Sequence, residues 1–215
     1  MLATLLVIFT LTVLYWFPVR RWFGRWGATD EDLRRVMAGD PVIPHPTHSA
    51  THALTVDASP EDIWPWLVQM GYRRGGLYSY DWLDRLFGYL DRPSANHIIP
   101  ECQRLAEGDV IPVGRGKGFP VTAIEPNCAL VLSDTNDGFQ WVWQFGLYPL
   151  DDGRTRLVSR GTQRFGNTIG TWLFMRVMEP AAFIMTRRML LGLKQRAEAR
   201  RAVRTSERRA SRHAA

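Results

Sequence analysis

Apolar residues fill the start of the chain almost without interruption, a pattern that no later stretch repeats. Leu2–Val19 (LATLLVIFTLTVLYWFPV) is eighteen residues without a charge, relieved only by Thr4, Thr10 and Thr12. As a helix it rises about 27 Å, close to the hydrocarbon thickness of a bilayer. It lacks the polar stripe of a helix packed onto a soluble core. Tyr15, Trp16 and Phe17 close it where an aromatic belt belongs, and Arg20, Arg21 and Arg25 follow. Neither a basic leader nor a small-residue cleavage site marks it for removal. These features predict one transmembrane helix at 1–19, with the body on the cytoplasmic side of the cell membrane.

The pattern then turns polar. Residues 20–49 read as a linker with a short helix, Asp30–Val36, capped by Thr29, and a proline-rich stretch at Pro41, Pro44 and Pro46. Thr51–Ala58 alternates and predicts a strand. Ser59-Pro60-Glu61-Asp62 opens a helix, with Ser59 as N-cap, Pro60 at the first helical position and acids against the helix dipole. Ile63, Trp66, Leu67 and Met70 give that helix its apolar face, and Gly71 ends it. Asp81–Phe87 predicts a second short helix.

After Gly108 short β runs take over: Asp109–Pro112, Phe119–Ile124, Ala129–Ser133, Phe139–Leu150 and Thr155–Gly161. Turn signals separate them, among them Asn136-Asp137-Gly138 and Asp151-Asp152-Gly153, the latter marking the clearest hairpin. From Thr168 the pattern is helical, with a break expected at Glu179-Pro180. Ala182, Met185, Met189 and Leu193 then form an inward stripe on a long helix. The order predicts an α+β domain at 50–198, in which one antiparallel sheet curves around the last helix and leaves a cavity beneath it. Residues 199–215 read as a disordered basic tail.

Composition adds little to this picture except through charge. The net charge is +6, and between Lys194 and Ala215 eight basic residues stand against two acids. The tail thus accounts for the whole net charge, and the body is not a nucleic-acid-binding surface. Cys102 and Cys128 are too few for a disulfide framework; they either form one bridge or, the favoured reading, are buried thiols.

Several segments together carry a family resemblance. They are Trp26-Gly27-Ala28-Thr29, Thr55–Met70 (TVDASPEDIWPWLVQM), Arg74-Gly75-Gly76-x-Tyr78-Ser79-Tyr80-Asp81 and Arg187-Arg188-Met189-Leu190-Leu191-Gly192. From Trp26 to Glu198 the chain resembles the START-like (SRPBCC) superfamily, and within it a bacterial membrane-tethered subgroup. The superfamily holds polyketide cyclases and lipid-transport domains. The resemblance implies a helix-grip fold with a deep apolar pocket. It is specific for fold and unspecific for function.

Within that frame, Arg74, Tyr78, Tyr80 and Asp81 form the densest polar-aromatic cluster, near the pocket mouth that the resemblance implies. They can grip a polar head group, or Arg74 can pair with Asp81 while the tyrosines pack. Gln69 either points into the pocket beside Trp66 or caps its helix. Trp141 and Trp143 share one strand face, which is either cavity or lipid side. Met185 and Met189 line the cavity from the last helix.

His45, His48 and His52 lack the helix and the further ligands that a zinc site needs, so no metal is expected. No cofactor motif is present: Gly114-Arg115-Gly116-Lys117-Gly118 reads as a turn rather than a phosphate loop. The expected function is a membrane-tethered binding module for a hydrophobic or amphipathic small molecule, lipid or polyketide-like. The alternative is a cyclase- or hydrolase-type enzyme using the same residues.

Overall fold

The structure, a computed structural model, describes residues 2–213 apart from Lys117, Asp137 and Asn167. One residue of the Asn136-Asp137-Gly138 turn and one of the 114–118 turn therefore lie outside the described residues. The strands in chain order are β1 (His48–Val56), β2 (Val110–Ile111), β3 (Phe119–Glu125), β4 (Ala129–Asn136), β5 (Phe139–Pro149) and β6 (Thr155–Phe165). They make one antiparallel sheet in the order β1-β6-β5-β4-β3-β2. The helices are α1 (Leu2–Leu14), α2 (Arg20–Arg25), α3 (Asp30–Arg34), α4 (Pro60–Val68), α5 (Asp81–Leu86) and α6 (Ile169–His213). The long α6 packs on one face of the sheet, and the arrangement is that of a helix-grip fold.

Strand lengths follow pairing more than local pattern. β6 runs four residues past Gly161 because it pairs on both sides, with β5 as far as Phe139↔Phe165 and with β1 as far as His48↔Gln163. The same pairing starts β1 at His48, ahead of the alternating run. The Asp151-Asp152-Gly153 hairpin forms as predicted: Leu150 N–H donates to the Arg154 carbonyl, and Gly153 takes a positive φ of 77°. Ser59 precedes α4 in an extended conformation, but its hydroxyl donates to Asp62 rather than capping a backbone N–H.

The stretch 26–47 is packed against the sheet rather than strung out as a spacer. Thr29 and Asp32 form a capping box on α3, and Asp32 also accepts from Arg156 on β6. Arg160, nearly fully buried, donates to Thr51, Asp40 and the carbonyls of Asp32 and Arg35. A buried guanidinium is tolerated because its donors are met in this way. Met37 and Ile43 then cover Ala53, Val158, Val131 and Val142 on the outer face of the sheet.

The inner face carries the main core. Leu130, Leu132, Phe145 and Leu157 meet Ile63 and Leu67 of α4 and Leu190, Leu193 and Ala197 of α6. The predicted α6 stripe is displaced at its start: Phe183 is buried, whereas Ala182 is exposed. The expected break at Pro180 is absent, and α6 continues through it. Proline at 180 cannot donate to the carbonyl four residues earlier, that of Arg176, and the Tyr15 hydroxyl donates to that carbonyl instead, at 3.0 Å. The tail expected to be disordered is helical to His213, held by ion pairs from Arg201 to Asp57 and from Arg204 to Asp62.

Among the described residues no helix is long and apolar enough to cross a membrane. The apolar run is divided into the 13 residues of α1, a π-helical stretch Tyr15–Val19 containing Pro18, and α2. The three follow one another without a non-helical residue. Both cysteines are free, and Cys128 is exposed rather than buried.

His52 joins this N-terminal element to the sheet, its Nε2–H donating to the Phe23 carbonyl at 2.7 Å. Burial holds the His52 imidazole below its ordinary 6.5, and His48 is lowered chiefly by the same cause. The unfolded chain therefore takes up these protons at higher pH than the folded chain does. Stability is complete above the unfolded value and is lost as pH falls through the lower folded ones. Thermal unfolding followed from about pH 7.5 to about pH 5 should show a falling midpoint. In His52→Leu part of that slope should vanish, with His48 supplying the remainder; an unchanged slope contradicts the assignment.

Candidate functional site

The residues singled out from the sequence are brought together, but as a scaffold. Gln69, fully buried after α4, donates from Nε2 to the His97 carbonyl and accepts at Oε1 from Ile99 N–H. Arg74 does not pair with Asp81. Its guanidinium donates to the carbonyls of Val68, Met70 and Cys102, closing the end of α4 against the 100–103 turn. Asp81 accepts from both the backbone N–H and the hydroxyl of Ser94, at 3.0 and 2.7 Å. Together these bonds hold the 94–103 segment against the end of α4 and the start of α5.

Tyr78 sits at the centre of the cluster with a positive φ of 57°. Its hydroxyl donates to the Trp66 carbonyl at 3.1 Å, and the rings of Trp66 and Tyr78 meet edge to face at 6.1 Å. Burial pushes the Tyr78 phenol well above its ordinary value, so it stays neutral. Arg196 of α6 lies over the Tyr78 ring at 4.6 Å and donates to the Ala95 carbonyl. Arg188 lies 5.8 Å over Tyr80. Asp84, which sequence reading passed over, is fully buried, accepts from Ser79 at 2.7 Å and is pushed up by burial.

The face of Trp141 and Trp143 is settled by register. Both pack against the main core with Phe145, while Val142 and Gln144 point to the outer face, where Gln144 binds Gly39 and Asp40. Phe119 meets Trp141 edge to face at 4.6 Å. Met189 is buried in the same core and Met185 is half-buried. Tyr78, Met189, Leu190 and Phe145 thus share the core beneath α6.

Open space lies to the side of α6. A cleft of about 610 Å³ separates α6 from the loop 96–98. Trp66, Ile98, Ala199 and Val203 give it an apolar lining, and Arg196, Arg200 and Arg204 a basic one. The three arginines recur at every fourth position and so share one helix face. The Trp66 indole N–H and the Arg200 Nε–H are buried, with no hydrogen-bond partner among the described residues. One buried carboxylate, Asp62, faces Arg200 at 3.6 Å and Arg204 at 2.6 Å, which leaves positive charge in excess. Of the sequence candidates only Trp66 lines this cleft. The signal for the others was the arginine spacing, which net charge alone had hidden. A second cleft, about 540 Å³ between 85–89 and 113–116, is more polar.

Among the described residues no group of three His, Cys, Asp or Glu side chains is placed to hold a metal ion. His45 is exposed while His52 is buried.

No family model and no curated protein matches the chain. Solved structures do. CalU16 from Micromonospora echinospora is 15% identical over 72% of this chain and 86% of its own, with a TM-score of 0.34. CV1439 from Chromobacterium violaceum is 10% identical over 70% and 96%, with a TM-score of 0.42. DynU16, from the dynemicin biosynthetic locus, is 14% identical over 67% of this chain and 46% of its own, at 0.38. Likeness at this level carries no argument about activity, and the fold rests on the strand order and the helix described above.

Replacing Tyr78 by Phe would leave the buried Trp66 carbonyl unpaired. Chemical denaturation of Tyr78→Phe should show a loss of about 1–3 kcal/mol. A loss well below that range means that the hydroxyl is not what holds α4 to the loop.

Proposed function

We propose that the chain is a membrane-tethered module that binds an amphipathic small molecule, with an apolar body and an anionic head, in the cleft beside α6. One observation carries this reading. The cleft joins an apolar wall to three guanidinium groups set against one carboxylate, and the buried Trp66 indole N–H on that wall has no hydrogen-bond partner among the described residues. A buried donor without a partner costs free energy, which a ligand oxygen that reaches it recovers. The volume falls within the range of small-molecule sites. A carboxylate or phosphate suits the arginines, and a hydrocarbon or polyketide-like body suits Trp66, Ile98 and Val203.

The tether is part of the same proposal. Leu6, Phe9, Leu11 and Phe17 are exposed along the N-terminal helix, and Arg20, Arg21 and Arg25 follow it. Such a segment enters a bilayer and leaves the body on the cytoplasmic side. The enzyme reading has no comparable support: Arg74, Tyr78 and Asp81 are all engaged in bonds that hold the loop.

Dodecanoate and dodecanol, which share a tail and differ in the head, test the reading by isothermal titration. Arg200→Ala should weaken dodecanoate roughly tenfold or more, the worth of a charge-assisted hydrogen bond, and leave dodecanol unchanged. Arg204 still pairs with Asp62 in that variant. Equal affinities for both ligands, or no effect of the substitution, would overturn the anionic-head assignment.

A further inference from the structure

The N-terminal helical run and the start of α6 lie side by side and run in the same direction. Tyr15 bonds the Arg176 carbonyl, Arg20 pairs with Glu179 at 2.9 Å, and the Phe23 ring stacks on Phe183 at 4.7 Å. Further along, Arg187 lies 5.1 Å over Trp26. Ile169, seven residues before Arg176, thus stands about 10 Å further out along the pair.

The side of α6 that adjoins this contact is apolar and bare. At 100° per residue, Ile169, Leu173, Val177 and Ile184 fall within an arc of about 80°, with Phe174 beside them. Arg176, Glu179 and Phe183 lie on the adjoining side, about 20° to 80° from Ile169 in the other direction. Ile169 is 87% exposed, Leu173 56%, Phe174 61% and Val177 60%. Exposed apolar side chains at this density mark a surface that another phase covers.

The charges around the patch indicate which phase. No acid precedes Asp30, and between Gly166 and Ala197 the sole acid is Glu179. Glu179 is buried between Arg20 and Arg176. Arg20, Arg21, Arg25, Arg187 and Arg188 therefore form a cationic collar where the bare faces end. A second copy of the chain would set two such collars against each other. An anionic lipid surface matches the collar, and hydrocarbon matches the apolar face.

We infer that Ile169–Ile184 of α6 is embedded in the bilayer beside the N-terminal helix, as the second arm of a two-helix prong from which the body hangs. This rests on the reading that the N-terminal helix enters a membrane. The buried Glu179 cluster and the Tyr15–Arg176 bond tie the two arms together, and the same α6 continues into the core. Arg200 lies 24 residues beyond Arg176, which sets the cleft about 36 Å along the helix from that level, away from the lipid.

Nitroxide labels report which phase each position meets. In the full chain with both native cysteines replaced by alanine, Leu6→Cys, Phe174→Cys, Val177→Cys and Val203→Cys would be labelled singly. Each protein would be reconstituted into phosphatidylcholine–phosphatidylglycerol vesicles. Collision rates with oxygen, which partitions into lipid, and with a polar nickel chelate are then compared. All four positions are exposed, so the labels leave the core intact.

Oxygen-to-nickel ratios at 174 and 177 several-fold above that at 203, and matching 6, are expected. High accessibility to nickel at 174 and 177 with lipid values at 6 overturns the second arm and leaves the tether standing. Nickel accessibility at all three overturns both. Labels at 174 and 177 shielded from both reagents point to a second copy or another protein on this face, and also overturn the inference.

Discussion

The close approach of α6 to the chain at Tyr78 is the constraint on which the rest of the structure depends. Gly192 lies against the Tyr78 backbone, and any Cβ there would run into the Tyr78 carbonyl and side chain. A glycine at this point lets the helix sink far enough for Leu190, Leu193 and Ala197 to be wholly buried against the sheet. Each fully buried leucine contributes about 1.5–3 kcal/mol. Tyr78 accepts a left-handed backbone to make the contact, a strain that the surrounding bonds of its hydroxyl and ring hold in place.

That depth of packing shapes the surroundings of the helix. Tyr78, Met189 and Phe145 share the core beneath it, and a cleft lies along its flank, between α6 and the 96–98 loop. The loop keeps its position through Gln69, Arg74 and Asp81, none of which faces the cleft. On the other side of the sheet, Arg160 and Arg156 fix the 26–47 stretch through Asp40 and Asp32. The sheet is thus covered on both faces, by apolar contact on one and by a polar network supporting Met37 and Ile43 on the other.

How far this was legible in the sequence depends on how local each cause is. The start of α4, the capping box at Thr29 and the Asp151-Asp152-Gly153 hairpin are set by neighbouring residues and were readable. The extension of β6 was not, because it comes from pairing with β1. Helix continuity through Pro180 depends on a hydroxyl 161 positions away in the chain. The helical tail depends on Asp57 and Asp62, and the face of Trp141 on strand register. The candidate cluster at 74–81 was recognised as a unit, but bonding partners alone reveal that it supports a loop. The arginines at 196, 200 and 204 counted in the sequence only as charge; their cleft exists only once the loop is folded beside them.

The most direct test of the account is a crystal structure with dodecanoate bound. The account predicts the carboxylate at Arg200, within reach of the Trp66 indole N–H, and the chain along Ile98, Ala199 and Val203, with Tyr78 and Met189 unmoved. A ligand lodged beneath α6 with those two side chains displaced would contradict it, as would an empty cleft at saturating dodecanoate.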